Sequence, residues 1–327
     1  MSAIQSERRR APASLGEPPV TPGPRRGFSV GDRVFPYILI LPALAVLFGV
    51  MLYPLWQVIQ LSLQDVNNYL LFANPSLDKF IGLQQFTKTL TTPFFWQSVL
   101  RTALFTIEVV ALSVGIGLAV AVLLNRVSSW AKIFVVTVMM FVWAVPAVVT
   151  GVVFRWIFSD TSGVVDYILY ELGGKGMRGY DWIGHPTQGL YLVVAGMVVW
   201  GALPFLVLGL NAAITQVPKE LVEAAKVDGA SPWENFRHVV LPIIRPFLLM
   251  VLSLSFIWDF QVFNQIWVWV NGVPSDGYKT IGIYLYESAF SADKYSLGSV
   301  LSILMILLML SVMIVYIRQV LKIGSEK

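Results

Sequence analysis

The chain has 327 residues, of which 56% are hydrophobic and only 13% charged, with a mean hydropathy of +0.70; soluble domains carry about 25% charged residues. That excludes an ordinary soluble globular protein and leaves one integral membrane domain. The net charge of +4 and pI of about 9.2 fit Lys and Arg retained on the cytoplasmic side of a membrane, and nucleic-acid binding is not expected. Without cysteine there are no disulfides and no Cys-ligated zinc or iron–sulfur clusters, and His185 and His238 alone make a histidine-rich metal site improbable.

The first 33 residues are rich in Pro, Arg, Ser, Gly and Ala, and Pro12, Pro18, Pro19, Pro22 and Pro24 interrupt any helix. They are expected to form a disordered basic tail. Six apolar stretches follow, each close to or above the roughly 20 helical residues that cross a bilayer core. They run approximately Val34 to Leu61, Thr102 to Leu124, Ile133 to Ile157, Gly189 to Thr215, Pro246 to Val270 and Leu297 to Ile317. The first is too long for the core of a secretory signal and is read as an uncleaved span. The connections from about Asp65 to Gln97 and from Ser159 to Gln188 are long enough to hold short helices. The fold class is therefore an all-α polytopic membrane protein with about six transmembrane helices.

Placing the N-terminus in the cytoplasm puts 15 of the 23 Lys and Arg residues inside, including Arg8, Arg25, Arg33, Arg126, Lys132, Lys219, Lys226, Arg237 and Arg318. Both termini and the connection between the fourth and fifth spans are then cytoplasmic. The chain divides into a tail (1–33), a membrane domain (34–322) containing a cytoplasmic loop (216–242), and a short cytoplasmic tail (323–327).

That loop has its own local logic. Pro218 suits a first helical position, Glu220 the positive end of the helix dipole, and Gly229 the left-handed residue past the end, which predicts a short helix from about Pro218 to Asp228. Ser231-Pro232-Trp233-Glu234 reads as a capping box that starts a second short helix. Ala224 and Ala225 keep one face of the first helix low, so a partner can close on it while Glu223 offers a charge.

Glu223-Ala224-Ala225-Lys226-Val227-Asp228-Gly229, followed after nine residues by Val239-Val240-Leu241-Pro242, resembles the EAA loop of permease subunits of bacterial ABC importers, departing only by Val239 for Ile. The resemblance extends from roughly Phe35 to Arg318. Phe80-Ile81-Gly82-Leu83-Gln84-Gln85-Phe86, Trp182-Ile183-Gly184, Trp200 to Phe205, Gln216 to Leu221, Ala230 to Trp233, and Tyr284 to Phe290 are similar to segments of the carbohydrate-uptake branch. The turn Val270-Asn271-Gly272-Val273-Pro274 departs from that branch's T-x-G-G-P. The C-terminus lacks the Gly- and Lys-containing tail of one partner type, so the chain looks more like the maltose F-subunit type.

This resemblance implies a MetI-like ABC permease fold in a bacterial plasma (inner) membrane. It implies a second permease subunit as heterodimer partner, a dimer of ABC ATPases carrying ATP and Mg, and an extracytoplasmic solute-binding protein that delivers a di- or oligosaccharide. It also implies that Glu223, Ala224, Ala225, Asp228 and Gly229 dock the ATPase. No cofactor is expected in this chain, which has no G-x-x-x-x-G-K-[ST] loop, no G-x-S-x-G elbow and no H-E-x-x-H helix.

A sugar presents hydroxyl edges and apolar C–H faces, so hydrogen-bonding side chains beside flat rings suit it. Asp259, within an apolar stretch, needs a polar cavity, a partner or a function, and Trp258, Phe260, Gln261, Phe263, Asn264 and Gln265 surround it in sequence. On a continuous helix, residues 257, 260, 261 and 264 share one stripe, so Phe260, Gln261 and Asn264 would line a cavity together. Asp259, Phe260, Gln261, Phe263 and Asn264 are the substrate-pathway candidates. The competing reading makes Asp259, Gln261 and Asn264 interhelical hydrogen-bond partners and places Trp267 and Trp269 in an interfacial aromatic belt. Glu108 is read as structural. Alternative functions are an importer of glycerol phosphates or another polar solute, and a self-sufficient secondary transporter or channel.

Overall fold

A computed structural model describes residues 30–74 and 79–325. The expected tail, 1–33, lies outside these residues as far as residue 29. By contacts the chain divides into two units, Met1–Pro54 and Leu55–Lys327. The first contributes helix Val30–Leu47 and the π-helical turn Phe48–Leu52, and its side chains from Tyr37 to Tyr53 are exposed and mostly apolar.

The described residues are almost wholly helical, with only an isolated bridge between Gln64 and Phe80. Among the described residues, five helices are long and apolar enough to cross a membrane: Tyr37–Ser62, Pro93–Leu124, Pro186–Thr215, Pro232–Phe260 and Tyr295–Arg318. The fourth span, Pro186–Thr215, is the most buried and packs along the second, Pro93–Leu124. Gly117 allows that approach, since a Cβ there would stand 3.1 Å from the Leu206 Cβ. Val114, Leu206 and Val251 form the core between these two spans and the fifth. Many large apolar side chains on the outer faces remain exposed, as membrane spans require when lipid is the solvent.

Two of the expected spans are broken. Ile133 to Ile157 is two helices, Ser129–Ala144 and Ala147–Ile157, bent by 100° at Val145 and Pro146. Proline has no N–H to continue the ladder and pushes the residue before it out of the helical region; Val145 is accordingly extended, with ψ 123°. The expected stretch Pro246 to Val270 ends its helix at Phe260, leaves it through Gln261, Val262 and Phe263, and resumes as the short helix Asn264–Trp269. The shared stripe of Phe260, Gln261 and Asn264 therefore does not exist, because it needed an unbroken helix. In the other direction, the expected second short helix at Ser231 runs on without a stop as the fifth span, Pro232–Phe260.

Packing explains the second break. Asn264–Trp269 lies against Ala147–Ile157, so closely that a Cβ on Gly151 would come 2.8 Å from the Val268 Cγ1. This seats Trp269, with no exposed surface, in a cluster with Leu190, Ile266, Tyr278 and Trp182. Trp269 Nε1 donates to the Tyr278 hydroxyl at 3.1 Å, which lies 3.1 and 3.0 Å from the carbonyls of Trp182 and Ile183. Trp269 is thus a core residue and not part of a lipid-facing belt, while Trp267 is half-buried between Phe263 and Tyr286.

The long connections do contain short helices, Tyr69–Ala73, Gln84–Thr91 and Val164–Glu171. The last helix runs to Ser325, so the expected short tail (323–327) starts within it.

Candidate functional site: a docking hairpin and a buried carboxylate

The loop after the fourth span forms a helical hairpin fixed by local chemistry. Its first helix is Lys219–Val227, with Pro218 one position earlier than expected, as the N-cap. Gly229 has φ +83°, Ala230 N–H donates to the Ala225 carbonyl at 2.9 Å and Gly229 N–H to that of Lys226 at 3.1 Å. This is the paired closure in which a left-handed glycine satisfies the last carbonyls of a helix. The capping box is present: Glu234 N–H donates to Ser231 Oγ at 3.3 Å and Ser231 N–H to Glu234 Oε2 at 2.8 Å. Asn235 Nδ2, buried, donates to the Val222 carbonyl at 2.9 Å and ties the two helices together. Below them Val217, Ala213 and Ile244 form a small apolar core with Val222 and Val240. The hairpin is thereby joined to the ends of the fourth and fifth spans.

Glu223 lines a cavity of about 790 Å³ beside this hairpin, together with Lys219, Lys226, Asn235 and, from the connection after the second span, Asn125 and Arg126. Ala224 and Asp228 are exposed, Ala225 is half-covered, and a Cβ on Gly229 would meet nothing within 4 Å. Of the Ala pair, Ala224 is thus open on the surface and Ala225 only in part. Asn125 and Arg126 carry no local sequence signal that would have joined them to Glu223. Only the packing of the second span on the fourth, including an Asn211 Nδ2 bond to the Ala121 carbonyl at 3.2 Å, brings them there.

The second place with chemical potential lies where the two broken segments meet. A cavity of about 270 Å³ opens between Val145 and Ala147 on one side and Asp259 and Val262 on the other. Trp143, Thr150, Trp200, Trp258 and Gln265 also line it. Asp259 is 5% exposed, and its Oδ2 makes no hydrogen bond among the described residues. An unpaired buried carboxylate is expensive, and this one lines the cavity. Among the sequence candidates only Asp259 lines it. Phe260 is buried elsewhere, Phe263 stacks on Trp267 and packs at a tilt against Tyr286, and Asn264 is exposed. Gln261 turns away, its Nε2 donating to the Ile257 carbonyl at 3.0 Å and reaching Met309 Sδ at 3.6 Å. Pro146 was the sequence signal for the break that opens this cavity. Glu108 is half-buried on the second span and is not part of the cavity lining.

The fold has parallels among known proteins. Residues 111–322 match the family model described as binding-protein-dependent transport system inner membrane component. The chain is 32% identical over 297 residues to the diacetylchitobiose uptake system permease protein DasB of Streptomyces coelicolor, covering 91% of this chain and 90% of that one. It is 30% identical to the trehalose/maltose transport system permease protein MalF of Thermococcus litoralis, covering 86% and 92%. A solved bacterial ABC transporter for import of the acidic polysaccharide alginate superimposes with a TM-score of 0.76 at 19% identity over 90% of this chain and 97% of that one, which establishes a common fold. The chain is accordingly a multi-pass inner-membrane permease subunit: it belongs to the family of binding-protein-dependent transport system inner membrane components.

Proposed function

We propose that this permease forms half of the pathway by which an ABC importer carries a di- or oligosaccharide into the cell. The observation that carries the reading is the Asp259 cavity, in which a buried carboxylate faces the same space as Gln265, Thr150 and three indole rings. Hydroxyl edges pair with the carboxylate, amide and hydroxyl, and C–H faces lie on the rings. The carbohydrate relatives named above support the substrate class. A second permease completes the pathway, an extracytoplasmic binding protein delivers the sugar, and ATP with Mg is hydrolysed on a separate ATPase pair. No Lys or Arg lines the cavity, which disfavours a glycerol phosphate as cargo.

In this reading the ATPase closes on the open face of Lys219–Val227, with Glu223, Ala224, Ala225, Asp228 and Gly229 at the contact. The Ser231 capping box and the Asn235 bond make the hairpin a rigid lever on the fourth and fifth spans. Work passes to the cavity only if the hairpin's contacts differ between two states of the spans. The test is uptake of labelled di- and oligosaccharides by cells with and without this chain, with ATP present or depleted. Loss of one ATP-dependent sugar uptake on deletion supports the proposal, and Asp259→Leu is expected to abolish that uptake while Asp259→Asn retains part of it. Sugar uptake that needs this chain but persists without ATP overturns it in favour of a secondary transporter.

A further inference from the structure

The fourth span begins at Pro186 and ends at Thr215, so the connection before it lies at the end of the molecule opposite the docking hairpin. There a cavity of about 580 Å³ is walled by Trp156, Tyr167 and Tyr170, with Asp160, Glu171 and Arg178 among its polar lining. Trp156 and Tyr167, both in its lining, are each 65% exposed. A second cavity of about 480 Å³ shares Trp156 and Asp160 and adds Val152 and Arg155. The Asp259 cavity in turn takes Ala147 and Thr150 from the same helix. One 11-residue helix, Ala147–Ile157, therefore walls three cavities in succession along about 14 Å of rise.

The outermost cavity is built rather than accidental. Its floor is held by Asp166, 4% exposed, which accepts from Tyr180 N–H at 2.9 Å and Trp182 Nε1 at 2.6 Å. Gly163 closes the turn so tightly that a Cβ there would stand 2.4 Å from the Ser159 carbonyl oxygen. The Arg178 guanidinium lies 5.6 Å from the centre of the Tyr170 ring, within cation–π range.

We infer that this aromatic trough around Trp156 is a second saccharide subsite, an entry station from which sugar passes along Ala147–Ile157 toward Asp259; the inference rests on the saccharide reading given above. The chemistry selects the ligand class. Open ring faces take the C–H faces of a pyranose, and two carboxylates with a guanidinium at the rim take its hydroxyls. Asp160 and Glu171 outnumber Arg178, so an anionic ligand is repelled. No group of three or more metal-ligating side chains occurs among the described residues.

The test uses the assembled importer in nanodiscs with photoactivatable derivatives of maltose and chitobiose, the labelled peptides being mapped by mass spectrometry. The expected result is labelling within residues 156–179 that unmodified sugar competes away. It should fall about tenfold, the equivalent of about 1.4 kcal/mol, in Trp156→Ala and Tyr167→Ala, and survive in Trp156→Phe, which keeps a ring. In Asp259→Leu, uptake stops while this labelling persists. If both probes are transported yet residues 156–179 are not labelled, or are labelled without competition, the subsite is refuted and the saccharide reading stands. If neither probe is transported nor competed at any residue, both fall for these sugars. Uncompeted labelling combined with loss of binding-protein-dependent uptake in Trp156→Ala replaces the subsite with a protein-docking surface.

Discussion

Tyr278→Phe removes a single oxygen from the node that joins three separate segments on the side away from the docking hairpin. That hydroxyl accepts from Trp269 Nε1 and sits within donor reach of the Trp182 and Ile183 carbonyls, in a residue only 1% exposed. The buried Trp269 N–H then has no acceptor, costing about 1–3 kcal/mol, and the lost bond to the carbonyls adds about 0.5–1.5 kcal/mol. The phenyl ring fills the same space, so there is no cavity cost. A total of roughly 2–4 kcal/mol corresponds to opening of this region about 30-fold to several-hundred-fold more often. Amide hydrogen exchange on the purified complex reads it directly. Peptides covering residues 180–190 and 275–284 should exchange faster, while those in Lys219–Val227 should not change. A rise below about threefold at both would refute the assignment of Tyr278 as the node. Alkaline pH gives a second signature, since burial pushes the Tyr278 phenol from 10.0 up to about 12, against a smaller opposing effect of the Trp269 bond. The opened state loses its proton first, so this contribution is complete below pH 10 and is lost as pH rises through about 12. Burial also raises Tyr284, so Tyr278→Phe should flatten that pH dependence in part, not wholly.

Two further outcomes follow from the geometry. Glu223→Arg combined with Gly229→Leu should abolish ATP-dependent uptake without preventing membrane insertion, since the leucine must hold φ +83°, at a cost of about 1–2 kcal/mol, and the arginine reverses the charge at the contact; normal transport in this double variant would sink the docking role. Gly151→Ala should lower thermal stability by about 1–3 kcal/mol, because its Cβ would meet the stiff Val268 side chain at 2.8 Å, and Val268→Ala should restore most of it; a neutral Gly151→Ala, or no rescue, would contradict the close seating of the two half-helices.

What the sequence by itself determined was whatever is decided within a few residues or by mean composition. Hydropathy located the spans because any helix that crosses lipid must be apolar over roughly 20 residues. The docking hairpin was legible because its capping box spans only Ser231 to Glu234, and its closing Gly229 and the following Ala230 donate to carbonyls three and five residues before themselves. The same signals were blind where apolar side chains face protein instead of lipid, since hydropathy assigns both the same value. Ile133 to Ile157 read as one span although Pro146 marks the bend. The break at Gln261 to Phe263 has neither proline nor glycine to announce it; it is held by the burial of Trp269 and by the contact of Val268 with Gly151. Only the tertiary structure, by folding both breaks against each other, decided that Asp259 lines the cavity between them while Gln261 and Asn264 do not.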